Sequence, residues 1–242
     1  MASEYLKWKY RDVQPDKPVE LTAKERRVNW WYYHKWHVVL GVILFLALAD
    51  IGAHVLGIGK VRPDYQIAYV GSAALPEDTV SALVTALAEL GTDCNGDGRV
   101  IVQLNQYASA AGSGDSDAAM YAYAASTALM ADLESCDSYF FLLEDPDAFQ
   151  RNYQILRRLD GSLPDEYDRD YESCYLLWTD CPVLAALPLG GYSETVLTQE
   201  ISGDSQTLLS GLSLARRGFW TDKAAKYSSE CDILWDALTE GA

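Results

Sequence analysis

The chain has 242 residues, 49 % of them apolar and 22 % charged, with a formal charge of −16 at pH 7. That length suits one sizeable domain with appendages, and the composition excludes a disordered or collagen-like chain. A mean hydropathy of −0.09 excludes a polytopic membrane protein, and so acidic a chain is not expected to seek nucleic acid or an anionic surface, both of which attract Lys and Arg.

The charge is unevenly spread. Residues 1–37 carry eight basic against five acidic side chains, and residues 60–242 carry 11 against 29. Between them, residues 38–58 hold a single formal charge, Asp50. As a helix this stretch is about 30 Å long at roughly 1.5 Å per residue, the thickness of a bilayer core. Asp50 costs about 2.5–3.5 kcal/mol on the insertion scale, whereas thirteen Leu, Ile, Phe and Val residues return roughly 4–8 kcal/mol. The stretch is therefore expected to span, with His54 one turn beyond Asp50.

Residues 1–37 read as a cytoplasmic basic tail, because the basic flank precedes the span. Trp30, Trp31, Tyr32, Tyr33 and Trp36 stand where an interfacial aromatic belt is expected, and Thr22-Ala-Lys-Glu25 has the form of a capping box. A cleaved signal peptide is the rival reading, with Ala47-Leu48-Ala49 as its cleavage site. Against it, the leading segment is longer than a signal peptide's usual basic region, and apolar sequence resumes at Ile51, Val55, Leu56 and Ile58. The expected localisation is a single-pass cell-membrane protein with residues 60–242 extracytoplasmic.

The outer piece alternates between strand and helix signals. Residues 65–71 form a short apolar run ending in Gly71 and read as a buried strand. Pro76 opens a helix through Leu90, stopped by Gly91, with Val80, Leu83, Val84 and Leu87 at helical spacing. Residues 99–104 read as the next strand, running out to Tyr107, and a loop over 108–116 leads to a helix from Asp117 to Asp132. Residues 138–143 are a third strand, closed by Glu144-Asp-Pro146, and a short helix is expected over 149–156. An acidic, loop-like stretch occupies 157–172. Apolar runs return at 175–178, 183–187 and 208–214, and a final helix is expected over 222–238 with Ala225, Cys231, Ile233, Leu234 and Leu238 inward. The fold class is α/β: one transmembrane helix, then one mostly parallel sheet with helices on both faces.

The block Asn29-Trp-Trp-Tyr-Tyr-His-Lys-Trp-His37 and the span after it resemble uncharacterised single-pass membrane proteins of Gram-positive bacteria. Pro63-Asp-Tyr-Gln-Ile-Ala-Tyr-Val-Gly71 and residues 93–107 continue the likeness. The resemblance implies a membrane-anchored outer domain whose α/β sheet is similar to that of periplasmic-binding proteins. It implies no established activity.

All three histidines (His34, His37, His54) lie in the tail or the span, so residues 60–242 lack the base of Ser-His-Asp and Cys-His mechanisms and any imidazole for zinc. His34 and His37 read as interfacial polar groups. Asp93-Cys94-Asn95-Gly96-Asp97-Gly98 matches the first half of a calcium loop, making Asp93, Asn95 and Asp97 candidate calcium ligands. Position 12, however, is Leu104 where a bidentate Glu is needed, and the same side chains equally suit a turn that caps its own backbone. Calcium is thus the one cofactor to consider. Asp165, Glu166, Asp168, Asp170 and Glu172 include candidate acid/base pairs, although charge runs are usually solvated loops. Five cysteines (Cys94, Cys136, Cys174, Cys181, Cys231) in an exported domain allow disulfides while leaving one unpaired. The expected function is a membrane-anchored extracytoplasmic domain that binds a ligand or protein partner without catalysis. The alternative is an envelope hydrolase using paired carboxylates.

Overall fold

A computed structural model describes residues 22–55, 62–109, 116–165, 167–196, 199–219 and 228–242. The chain divides into two compact units, residues 1–61 and 62–242. In the first, helix α1 runs unbroken over Ala23–Val55. Its start is the capping box: Glu25 N–H donates to Thr22 Oγ1 at 3.4 Å, and Glu25 Oε2 accepts from Thr22 N–H at 2.8 Å. α1 is long and apolar enough to cross a membrane, with a mean hydropathy of 1.7 over its most apolar window. Its apolar side chains, Leu40 and Phe45 among them, are exposed on every side. Asp50 is exposed too. His34 stacks on Trp30 with ring centroids 4.9 Å apart, and its Nδ1 lies 2.9 Å from the Trp30 carbonyl. The basic tail before Thr22 and the end of the expected span after Val55 lie outside the described residues.

The second unit is built on a five-stranded sheet. In chain order its elements are β1 (Tyr65–Gly71), α2 (Glu77–Leu90), β2 (Val102–Ala108), α3 (Ser116–Ser135), β3 (Phe140–Leu143) and α4 (Pro146–Tyr153). Then follow β4 (Tyr175–Leu177), α5 (Pro182–Ala185), β5 (Gly191–Val196), β6 (Gln199–Asp204), α6 (Ser205–Leu209), β7 (Ser213–Arg216) and α7 (Ser228–Leu238). The strand order is β2-β1-β3-β7-β4, and β5 and β6 form a separate antiparallel hairpin.

The expectation of a mostly parallel sheet holds in part. β1 pairs in parallel with β2 and β3, but β7 is inserted antiparallel between β3 and β4. The chain reaches β7 through the β5–β6 hairpin and the short α6, with no full helical crossover to restore the strand direction.

Alternation along the strands builds two cores. Tyr65, Ile67, Tyr69, Phe140, Leu142 and Leu214 face one side and pack with Leu83 and Leu87 of α2 and Leu234 and Trp235 of α7. Ala68, Phe141, Leu143 and Ala215 face the other, against Leu129 of α3 and Phe149 of α4. Helices thus cover both faces. Gly91 ends α2 in extended conformation, its N–H bonded to the Leu87 carbonyl at 3.1 Å. Glycine is needed there because a Cβ would stand 2.7 Å from the Tyr65 ring.

In α7 the buried residues are Cys231, Leu234, Trp235 and Leu238, whereas Ile233, expected inward, is exposed. Ala225 lies outside the described residues. α4 starts three residues before the expected 149, because Asp145 caps it: Oδ1 accepts from Ala148 N–H at 2.9 Å and Pro146 takes the first turn.

Two buried arginines clasp the sheet at the end where β1 to β3 begin. Arg217 donates through Nε to the Ser138 carbonyl at 2.7 Å and lies 3.7 Å from Asp132 Oδ1. Arg216 meets Asp232 Oδ1 at 3.0 Å and covers the Trp235 ring. Tyr139 donates to the same Asp232 oxygen.

Candidate functional site

Because β1, β2 and β3 are parallel, their carboxyl ends share one rim of the sheet. β1 leads through α2 to β2 on one side, and β2 leads through α3 back over β1 to β3 on the other. Right-handed crossovers in opposite directions put α2 and α3 on opposite faces, as the two cores require. Connections that diverge in this way leave a gap above the strand ends, where open α/β sheets hold their ligands.

A crevice of about 640 Å³ occupies that position. Val70, Gly71 and Ser72 line it from the end of β1, Tyr107 and Ser109 from the end of β2, and Glu144 and Asp145 from the end of β3. From α3 come Ala122, Ala125, Ser126 and Leu129, one stripe at helical spacing in which three of the four side chains are small. That stripe is the reason for the space. Phe149, Asn152 and Tyr153 of α4, with Asp147 and Tyr175, complete the lining.

The rim is braced across β1 and β3. Glu144 Oε2 accepts from Ser72 N–H at 2.5 Å and Oε1 from Ser72 Oγ at 2.9 Å. Tyr69 donates its hydroxyl to the Ala73 carbonyl at 2.8 Å. Burial, then the Glu144 charge, pushes that phenol up to about 12. Two lining phenols are also engaged: Tyr107 donates to Asp132 Oδ2 at 2.6 Å and Tyr175 to Asp147 Oδ1 at 3.2 Å. Burial raises both, and the neighbouring carboxylate adds to it. No Lys, Arg or His is among the described residues lining the crevice.

The calcium-loop side chains are turned onto their own loop. Asp93 accepts from Gly96 N–H at 2.6 Å and Gly98 N–H at 2.7 Å, Asn95 Oδ1 from Asp97 N–H at 2.9 Å, and Asp97 Oδ1 from Arg99 N–H at 2.9 Å. The Gly98 N–H, foremost, holds the Asp93 carboxyl below its ordinary value. Asp64, not singled out in the sequence, ties the loop to β1 by accepting from Cys94, Asn95 and Ile101 N–H groups. Among the described residues no group of three or more His, Cys, Asp or Glu is disposed to hold a metal.

Asp165, Asp168 and Asp170 share a smaller hollow of about 320 Å³ with Tyr171 and Phe219. Glu166 lies outside the described residues. The Asp170 N–H and the Arg158 guanidinium keep the Asp168 carboxyl below its ordinary value. All five cysteines lie among the described residues and are free thiols, four of them buried and Cys94 half-buried. Burial pushes the Cys181 thiol up to about 11 and the Cys231 thiol up to about 12.

Sequence reasoning singled out none of the crevice residues as a site. They come from five separated segments, and the only local trace is the small-residue stripe on α3. Comparison of the chain with protein-family models, curated proteins and solved structures finds no match.

Proposed function

We propose that this chain is a single-pass membrane protein, amino terminus cytoplasmic, whose outer α/β unit binds a small ligand without transforming it. The observation that carries the binding reading is the crevice at the carboxyl ends of the three parallel strands, of a size that encloses a drug-sized molecule. The anchor reading rests on the exposed apolar shell of α1, its aromatic segment, and the basic residues before it against the acidic unit after it.

The paired-carboxylate hydrolase has less support. A general acid must hold its proton near neutral pH, and Asp168 is held ionised by its neighbours.

A thermal-shift screen of small solutes on the full chain in lipid nanodiscs tests the binding reading. A true ligand at a hundredfold its Kd adds about 2.7 kcal/mol, a rise of several degrees. Ala125→Trp fills the crevice and abolishes that rise. A screen with no Trp-sensitive solute overturns ligand binding at this site. Protease added to intact cells is expected to digest residues 62–242 and spare the leader; the opposite pattern overturns the orientation.

A further inference from the structure

We infer that the crevice takes an organic cation rich in N–H donors, an alkyl amine, held by Asp145 and Asp147; this rests on the crevice being a ligand site.

The argument is an inventory of donors and acceptors. Several of the crevice's own donors are committed within the protein. Ser72 gives its N–H and hydroxyl to Glu144, Ser126 gives its hydroxyl to the Tyr123 carbonyl at 2.9 Å, and the Tyr107 and Tyr175 hydroxyls go to Asp132 and Asp147. Its acceptors are in surplus. Asp145 uses Oδ1 on the Ala148 N–H and Asp147 uses Oδ1 on Tyr175, and both residues line the crevice. A carboxylate has about four lone-pair sites, so each bond used still leaves capacity.

An anion would meet three carboxylates and no cationic side chain among the described lining residues. A neutral acceptor-rich solute would find the Ser109 and Tyr153 hydroxyls and the Asn152 amide, but would leave the carboxylates without a counter-charge. An ammonium supplies three donors and the opposite charge. Its alkyl body suits the rest of the surface, where Ala122, Ala125, Leu129 and Val70 are aliphatic and Phe149 and Tyr153 are aromatic, a ring type that attracts cations.

The test uses the full chain in nanodiscs of zwitterionic lipid at 0.15 M salt, where loose attraction to an acidic surface is screened within about 8 Å. Four probes are titrated calorimetrically: spermidine, choline, glucose and inorganic phosphate. Spermidine is expected to bind one-to-one, tighter than choline, which has no N–H. Two variants accompany the wild type. Asp145→Asn with Asp147→Asn removes both charges while Asn still caps α4; Ala125→Trp fills the space. Each is expected to weaken spermidine binding at least tenfold while the unliganded melting temperature stays within a few degrees of wild type.

Spermidine bound equally by the wild type and both variants is attached elsewhere on the acidic surface, and the inference fails. Glucose or phosphate bound in a Trp-sensitive way, with spermidine excluded, leaves the crevice a ligand site and overturns only the amine. If none of the four binds, the amine assignment falls, and the solute screen decides the crevice itself.

Discussion

Gly71 stands at the point where β1 leaves the sheet and passes the mouth of the crevice. A Cβ there would come within 2.2 Å of the Tyr69 hydroxyl and 3.0 Å of Glu144 Oε2. The Tyr69 ring is buried in the core and its hydroxyl is fixed on Ala73, so it has little room to yield. Gly71→Ala is therefore expected to destabilise the outer unit by about 1–3 kcal/mol, the usual cost of overpacking. A lower urea midpoint at unchanged slope checks this. A midpoint equal to wild type would mean that the rim is looser than its hydrogen bonds imply.

At the scale of elements, α3 is fastened to the sheet by a buried carboxylate. Asp132 accepts from Tyr107, from the Ser138 N–H at 3.1 Å and from the Ser138 hydroxyl at 2.6 Å, with Arg217 alongside. Asp132→Ala removes the buried acid that lies 3.7 Å from the Arg217 guanidinium. The expected loss is about 3–5 kcal/mol by denaturant unfolding, as for a buried pair broken on one side. A loss below about 1 kcal/mol would show that the carbonyls of Ser138 and Leu133 suffice for the guanidinium.

The sequence disclosed such elements where local chemistry alone decides them. β1 shows as an apolar run, α2 by its Pro76 start and its 83/87 spacing, and the capping box of α1 by two residues. It concealed what depends on distant partners. The direction of β7 follows from the β5–β6 hairpin, whose alternating polar residues carry little apolar signal. Asp145 looks like a strand terminator until Ala148 is seen to donate to it. Trp235 is inward through its packing in the first core and under Arg216, partners distant in the chain. The calcium-like motif stood out because its residues are adjacent, whereas the crevice is assembled from segments up to about a hundred residues apart.

For the molecule as a whole, acid is the expected weakness. Asp93, Asp160 and Asp168 all have their carboxyls lowered, chiefly by the Gly98 N–H, the Ser162 hydroxyl and the Asp170 N–H respectively. A carboxyl lowered on folding stabilises the native state above its unfolded value, near about 3.9, and that support fades as pH falls through the lower folded value. Urea midpoints are expected to hold between pH 7 and pH 5 and to drop below about pH 4. A midpoint that rises on acidification would contradict this.

The inverted strand β7 has a consequence for how such a protein can change. It begins beside Leu143 and ends beside Phe140, so it carries Arg216 and Arg217 to the border of the sheet away from the crevice. The rivets that hold the body together and the lip of the crevice are thus on opposite shores. Mutation can redraw the turns after β1, β2 and β3, reshaping the crevice, while the fastening on the far shore keeps the frame.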